Sequence, residues 1–76
     1  MNIQIGTELY CNWGAMYPTE EGVVTEINLG NLVYETNLGN TFRCSIRDIR
    51  RKDDGHPSPI GVFLLEDLLW FDIIAT

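Results

Sequence analysis

Apolar and polar residues alternate over much of this chain, and the alternation has the period of a strand. Thr41-Phe-Arg-Cys-Ser-Ile46 sets Phe42, Cys44 and Ile46 against Thr41, Arg43 and Ser45, the pattern of a half-buried strand. Leu32-Val-Tyr-Glu-Thr36 and Gly22-Val-Val-Thr-Glu-Ile27 are rich in β-branched and aromatic residues. Between these segments the tetrapeptide Asn-Leu-Gly-Asn occurs twice, at 28–31 and at 37–40. Glycine takes positive φ without steric cost and asparagine tolerates it next best, so each copy predicts a hairpin turn with a glycine bulge. Together the three segments predict an antiparallel meander over about residues 22–46.

Upstream, Glu8-Leu-Tyr-Cys-Asn-Trp13 puts Leu9, Cys11 and Trp13 on one face and predicts a further strand. Gly14 to Glu21 then reads as a loop carrying Gly and Pro, and long loops in small domains often carry function. Ser45-Ile-Arg-Asp-Ile49 predicts a single 3₁₀ turn, because Ser and Asp favour local bonds that end strands. Arg50 to Pro59 predicts an exposed polar loop. The last stretch is two-sided. Gly61-Val-Phe-Leu-Leu65 looks like a strand, yet Leu65, Leu68, Leu69 and Asp72 have helical spacing. A strand, a short turn around Glu66–Leu69 and a final strand Trp70–Ile74 is the preferred reading, with a terminal helix as the alternative. The expected class is all-β, a small barrel of about five strands formed by residues 1–76 as one domain.

Composition narrows the function classes. The chain has 76 residues, 45% apolar and 21% charged, which predicts a folded domain whose single core is barely sufficient. A net charge of −6 argues against a general polyanion binder. The nearly apolar run from Ile60 to Thr76 contains Glu66, Asp67 and Asp72, so no membrane span is expected. Met1-Asn-Ile-Gln lacks the basic and apolar regions of a signal peptide, which favours the cytoplasm. Cys11 and Cys44 are too few for a disulfide framework.

These pieces resemble a small SH3-like barrel of the KOW or Tudor kind. The likeness rests on Gly6, the strand to Trp13, the loop ending at Gly22 before Val23-Val24, the Gly39 turn and the Ser45–Ile49 turn. It covers about residues 5–50, and the tail from Pro57 departs from it, since such barrels end soon after a fifth strand. A phage, plasmid or other mobile element is an expected source for such a chain. The resemblance implies binding of nucleic acid, of methylated or extended peptides, or of other proteins through loops and one open barrel face. One plasmid-borne reductase family builds a pore from several copies of such a barrel. Its Val-Gln-Ile-Tyr strand is absent here, and its activity is not carried over. Fold alone does not assign function.

Three constellations are candidates for contact. All five cations, Arg43, Arg47, Arg50, Arg51 and Lys52, fall within ten positions that include one acid, Asp48. Arg43, Arg47 and Arg51 would form a basic stripe for nucleic acid or an acidic partner, or would pair internally with Glu26, Glu35, Asp53 and Asp54. Tyr10, Trp13, Tyr17, Tyr34 and Phe42 could wall a cage for a methylated cation or stack bases. Trp13 and Phe42 share the parity of core positions, so Tyr10 and Tyr17 are the expected partner-binding residues. Val62 to Ile74 holds ten large apolar residues in thirteen positions, which predicts a homodimer interface through Phe63, Leu65, Trp70 and Phe71, or a seam folded over the open end of the barrel.

Catalytic chemistry finds little support. His56 is the one histidine and lies in a Gly-His-Pro-Ser-Pro loop, and the inward parity of both cysteines predicts inert thiols. No ligand spacing for a metal and no phosphate-binding Gly-Lys motif occurs, so no cofactor is expected. The leading expectation is a non-enzymatic, dimeric protein-interaction module using the 14–21 loop and the neighbouring tyrosines. The alternatives are a nucleic-acid-associated module using Arg43–Lys52, or an acidic DNA mimic that inhibits a host enzyme.

Overall fold

The computed structural model describes residues 3–51 and 60–68, and among these it is all-β. Six strands, β1 (Glu8–Asn12), β2 (Glu20–Asn28), β3 (Asn31–Thr36), β4 (Thr41–Ser45), β5 (Ile49–Arg50) and β6 (Gly61–Leu64), form one sheet curled into a half-barrel. The order across the sheet is β4-β3-β2-β1-β6-β5. Neighbours are antiparallel except β5 and β6, which run parallel with Ile49 beside Val62. The meander expected over 22–46 is β2-β3-β4, and Ile46–Asp48 is the expected 3₁₀ turn. Ser45 caps that turn by accepting from the Arg47 N–H at 3.2 Å, and Asp48 reaches back to the Ser45 N–H at 3.3 Å. A second 3₁₀ turn, Leu65–Asp67, follows β6 where the sequence placed a turn at 66–69. The last expected strand, 70–74, lies outside the described residues.

One face of the sheet builds the core. Leu9, Cys11, Val24, Leu32, Tyr34, Ile49, Val62 and Leu64 are buried together, with Trp13, Ile27, Phe42, Cys44 and Ile46 packed half-buried around them. Strand alternation supplies most of this set, but β2 needs a correction to its phase. A bulge between Val24 and Glu26 adds one residue, so Val24 and Ile27 both face inward although they are an odd number apart. Without it Ile27 would point to solvent. The Tyr34 ring lies across β2 at Gly22, where a Cβ would stand 2.8 Å from Tyr34 Cδ2. Glycine there makes room for the largest buried side chain of the core.

Candidate functional site

The end of the half-barrel beside the β1–β2 loop is organised by one carboxylate. Glu20 is only 4% exposed. Its Oε1 accepts from the Thr36 hydroxyl at 2.6 Å and from the Asn40 amide at 2.7 Å, and its Oε2 accepts from the Trp13 indole N–H at 2.6 Å. Hydrogen bonds from Thr36 and then Asn40 hold the Glu20 carboxyl below its ordinary pKa against the opposing effect of burial, with Trp13 adding to them. The sequence reading placed Glu20 in the loop. Its spacing of two and four from the inward Gly22 and Val24 was the available sign that the strand starts earlier.

This carboxylate also closes the base of the loop, because Trp13 and Glu20 stand at its two ends. Asn12 Oδ1 accepts from the Gly14 N–H at 3.0 Å, and the Tyr17 N–H donates to the Gly14 carbonyl at 3.2 Å. Gly14 has a φ of +111°, a conformation that favours glycine. From this pinned base Met16 and Tyr17 project at 88% and 64% exposure. Ile60 Cδ1 lies 3.9 Å from the point where a Cβ on Gly14 would stand, so an apolar side chain from the far end of the sequence reaches the same loop.

The aromatic residues separate into two groups. Trp13 and Phe42 have ring centroids 5.3 Å apart, and Phe42 and Tyr34 5.5 Å. Tyr34 is buried and its hydroxyl bonds Cys11, so these three rings pack on one another as part of the core and do not wall an open cage. Tyr10 is half-buried on the opposite face of β1, between Glu21 of β2 and Phe63 of β6. Of the two tyrosines expected to bind a partner, Tyr17 is the exposed one, and the structure does not bring them together in a ring contact. Met16 was not singled out from sequence.

The arginines differ in exposure and in what they touch. Arg43 and Arg47 are exposed. Arg51 Nε donates to Asp67 Oδ2 at 2.9 Å in a part-buried ion pair, a partner outside the expected set of Glu26, Glu35, Asp53 and Asp54. Arg50 lies over Gly61, its Nε 2.5 Å from where a Cβ would stand. Lys52, Asp53, Asp54 and His56 lie outside the described residues. On the outer sheet face, Glu8 and Glu35 stand opposite Val23 in the neighbouring strands, and Glu21 lies two residues along β2. These three glutamates surround an exposed valine, and no cation pairs with them among the described residues.

Of the expected dimer residues, the structure describes Phe63 and Leu65. Phe63, expected at an interface, is 0% exposed within the single chain and offers no surface to a second copy. This is a correction with a plain cause: Val62, Phe63 and Leu64 are all buried, so both faces of β6 are covered. Leu65 is half-buried, and Trp70 and Phe71 lie outside the described residues.

Burial pushes the Cys11 thiol up to about 11, partly offset by the hydrogen bond from Tyr34, and burial raises Cys44 as well. Both are thiols and not thiolates at neutral pH. Among the described residues no three of His, Cys, Asp or Glu gather closely enough to hold a metal ion, and no helix is long and apolar enough to cross a membrane. No family model, no curated protein and no solved structure matches this chain.

Proposed function

We propose that this chain is a protein-interaction module that uses the β1–β2 loop as its contact. The observation that carries this reading is the pairing of a fixed base with exposed apolar tips. Glu20, Trp13 and Asn12 hold the loop ends, while Met16 and Tyr17 stand in solvent. Two large side chains held out at this exposure are set to bury apolar area against a partner at little cost in ordering the loop. Tyrosine and methionine are both enriched in interface cores. The resemblance to KOW and Tudor-type barrels, which use loops for contact, points the same way.

The nucleic-acid reading is weaker, because Asp67 holds Arg51 and, among the described residues of the expected stripe, only Arg43 and Arg47 are exposed. The DNA-mimic reading draws on Glu8, Glu21 and Glu35 around Val23. The test is capture of partners from lysate by the tagged chain, with and without nuclease, beside the double variant Met16→Ser/Tyr17→Ser. Protein bands that survive nuclease and vanish with the double variant support the loop. Bands unchanged in the variant refute it, and recovery of nucleic acid lost with Arg43→Ala promotes the arginines.

A further inference from the structure

The sheet ends at β4, and the backbone there is open in a defined way. The Ile46 N–H bonds the Gly30 carbonyl at 2.8 Å and the Thr36 N–H bonds the Asn40 carbonyl at 2.8 Å. Antiparallel bonding repeats every second residue, so residues 40, 42, 44 and 46 turn their backbone groups towards β3. Thr41 and Arg43 therefore direct both their N–H and their C=O away from the sheet. The next outward N–H, that of Ser45, is taken by Asp48 Oδ2, which marks the end of the free edge. Among the described residues nothing bonds the outward groups of Thr41 and Arg43.

Beside this edge the core is uncovered. Leu32 and Tyr34 of β3 are fully buried, whereas Phe42 and Cys44, directly opposite them on β4, are only half-buried. An added strand would cover Phe42 and Cys44 on the inner side. On the outer side it would meet Arg43, whose exposed guanidinium has no carboxylate partner among the described residues, with Arg47 exposed just beyond. A second copy of β4 would bring its own Arg43 to the same face, where like charges repel.

We propose that β4 accepts an extended acidic segment of a partner protein as a further strand of the sheet. The segment carries carboxylates at alternate positions on the side of Arg43 and apolar residues between them, which lie over Phe42 and Cys44. Backbone bonds to Thr41 and Arg43 supply the pairing, and the alternation supplies selectivity. This surface is separate from the Met16–Tyr17 loop and does not depend on it.

The test titrates a blocked seven-residue peptide alternating glutamate and valine into the isotope-labelled full chain, reading amide shifts and hydrogen exchange. The expected result is shift and new protection at the Thr41 and Arg43 N–H groups, with Phe42 and Cys44 amides already protected before peptide is added. Arg43→Gln should weaken binding by about tenfold, and a peptide with lysine in place of glutamate should bind at least about tenfold more weakly. Arg43→Pro should abolish binding while leaving the spectrum around Leu9 and Val62 unchanged, since it removes a donor that bonds nothing in the sheet. If that variant does not fold, a peptide N-methylated at alternate residues must lose binding to the unaltered chain. Several results overturn the proposal: no perturbation up to ~1 mM peptide, equal binding of the lysine peptide, or shifts confined to Met16 and Tyr17. Protection at Thr41 and Arg43 that rises with protein concentration alone would assign the edge to a second copy and overturn it as well.

Discussion

The same tetrapeptide, Asn-Leu-Gly-Asn, makes two different turns in this molecule. At 28–31 the two asparagines pair directly and the turn is two residues long, with φ of 50° at Leu29 and 84° at Gly30. At 37–40 positive φ occurs at Gly39 but not at Leu38, the Gly39 N–H bonds the Thr36 carbonyl at 3.0 Å, and Thr36 pairs with Asn40. The first is a tight mirror-image turn suited to strand twist, and the second is a three-residue loop closed by a glycine bulge. Identical residues cannot explain the difference, so it lies in what surrounds them. Asn37 Oδ1 accepts from the Glu21 N–H at 2.9 Å, and the Asn40 side chain reaches Glu20. Asn28 and Asn31 are exposed, and no side-chain bond anchors the first turn among the described residues. A buried polar network anchors the second turn through side chains, whereas the first is held by backbone bonds, among them that from the Ile46 N–H to the Gly30 carbonyl.

Removing the network should break the comparison most completely. Glu20→Ala leaves the donors of Trp13, Thr36 and Asn40 without their acceptor, and buried unpaired donors are costly. It should lower the melting temperature more than any single substitution in either turn, with amide exchange accelerated at Gly39 and Asn40 far more than at Gly30 and Asn31. Gly22→Ala should come next, because the new Cβ meets the Tyr34 ring at 2.8 Å in the strand pair that also carries Thr36. Overpacking of this kind costs about 1–3 kcal/mol, measurable by denaturant unfolding.

Acid should act on the second turn alone. The folded-state pKa of Glu20 lies below the ordinary value of 4.5, so its contribution to stability is complete above that value. It is lost as pH falls from there through the folded pKa, and no carboxylate holds the first turn among the described residues. The Trp13 indole N–H resonance followed against pH should therefore move in the same range as the Gly39 and Asn40 amides, while Gly30 stays still. Smallest is the change at the turn tips. Leu29 holds positive φ at 96% exposure, so Leu29→Asn should stabilise by up to about 1 kcal/mol, because Asn tolerates that conformation. Leu38→Asn should stay within about 0.5 kcal/mol of the parent, since no strain is relieved there.

Much of the fold was legible because alternation and turn residues both act locally. The meander, the Ser45–Ile49 turn and the inward parity of Leu9, Cys11, Phe42 and Cys44 follow from spacing alone. The bulge at Val24–Glu26 did not, since an extra residue in a strand leaves no mark until its partner is known. Glu20 was missed for a related reason: a carboxylate next to a loop reads as solvated unless its three donors, distant in sequence, are seen to converge. The candidate contacts fared unevenly. Tyr17 stands exposed as its loop position suggested, whereas Arg51 and Phe63 are taken up inside the chain by Asp67 and by burial on both faces of β6. Which polar or apolar residue is spent on the fold depends on three-dimensional neighbours, and periodicity does not name them.

The two exposed tips also frame the central functional claim. Tyr17 and Leu29 are both large and open to solvent, but only Tyr17 rises from a base pinned by Glu20. The decisive measurement places a photo-cross-linking residue at position 17 or at position 29 and compares the products formed in lysate. Discrete protein adducts from position 17 that are absent from position 29 are the expected result. Equal labelling at both positions, or none at 17, would contradict the claim.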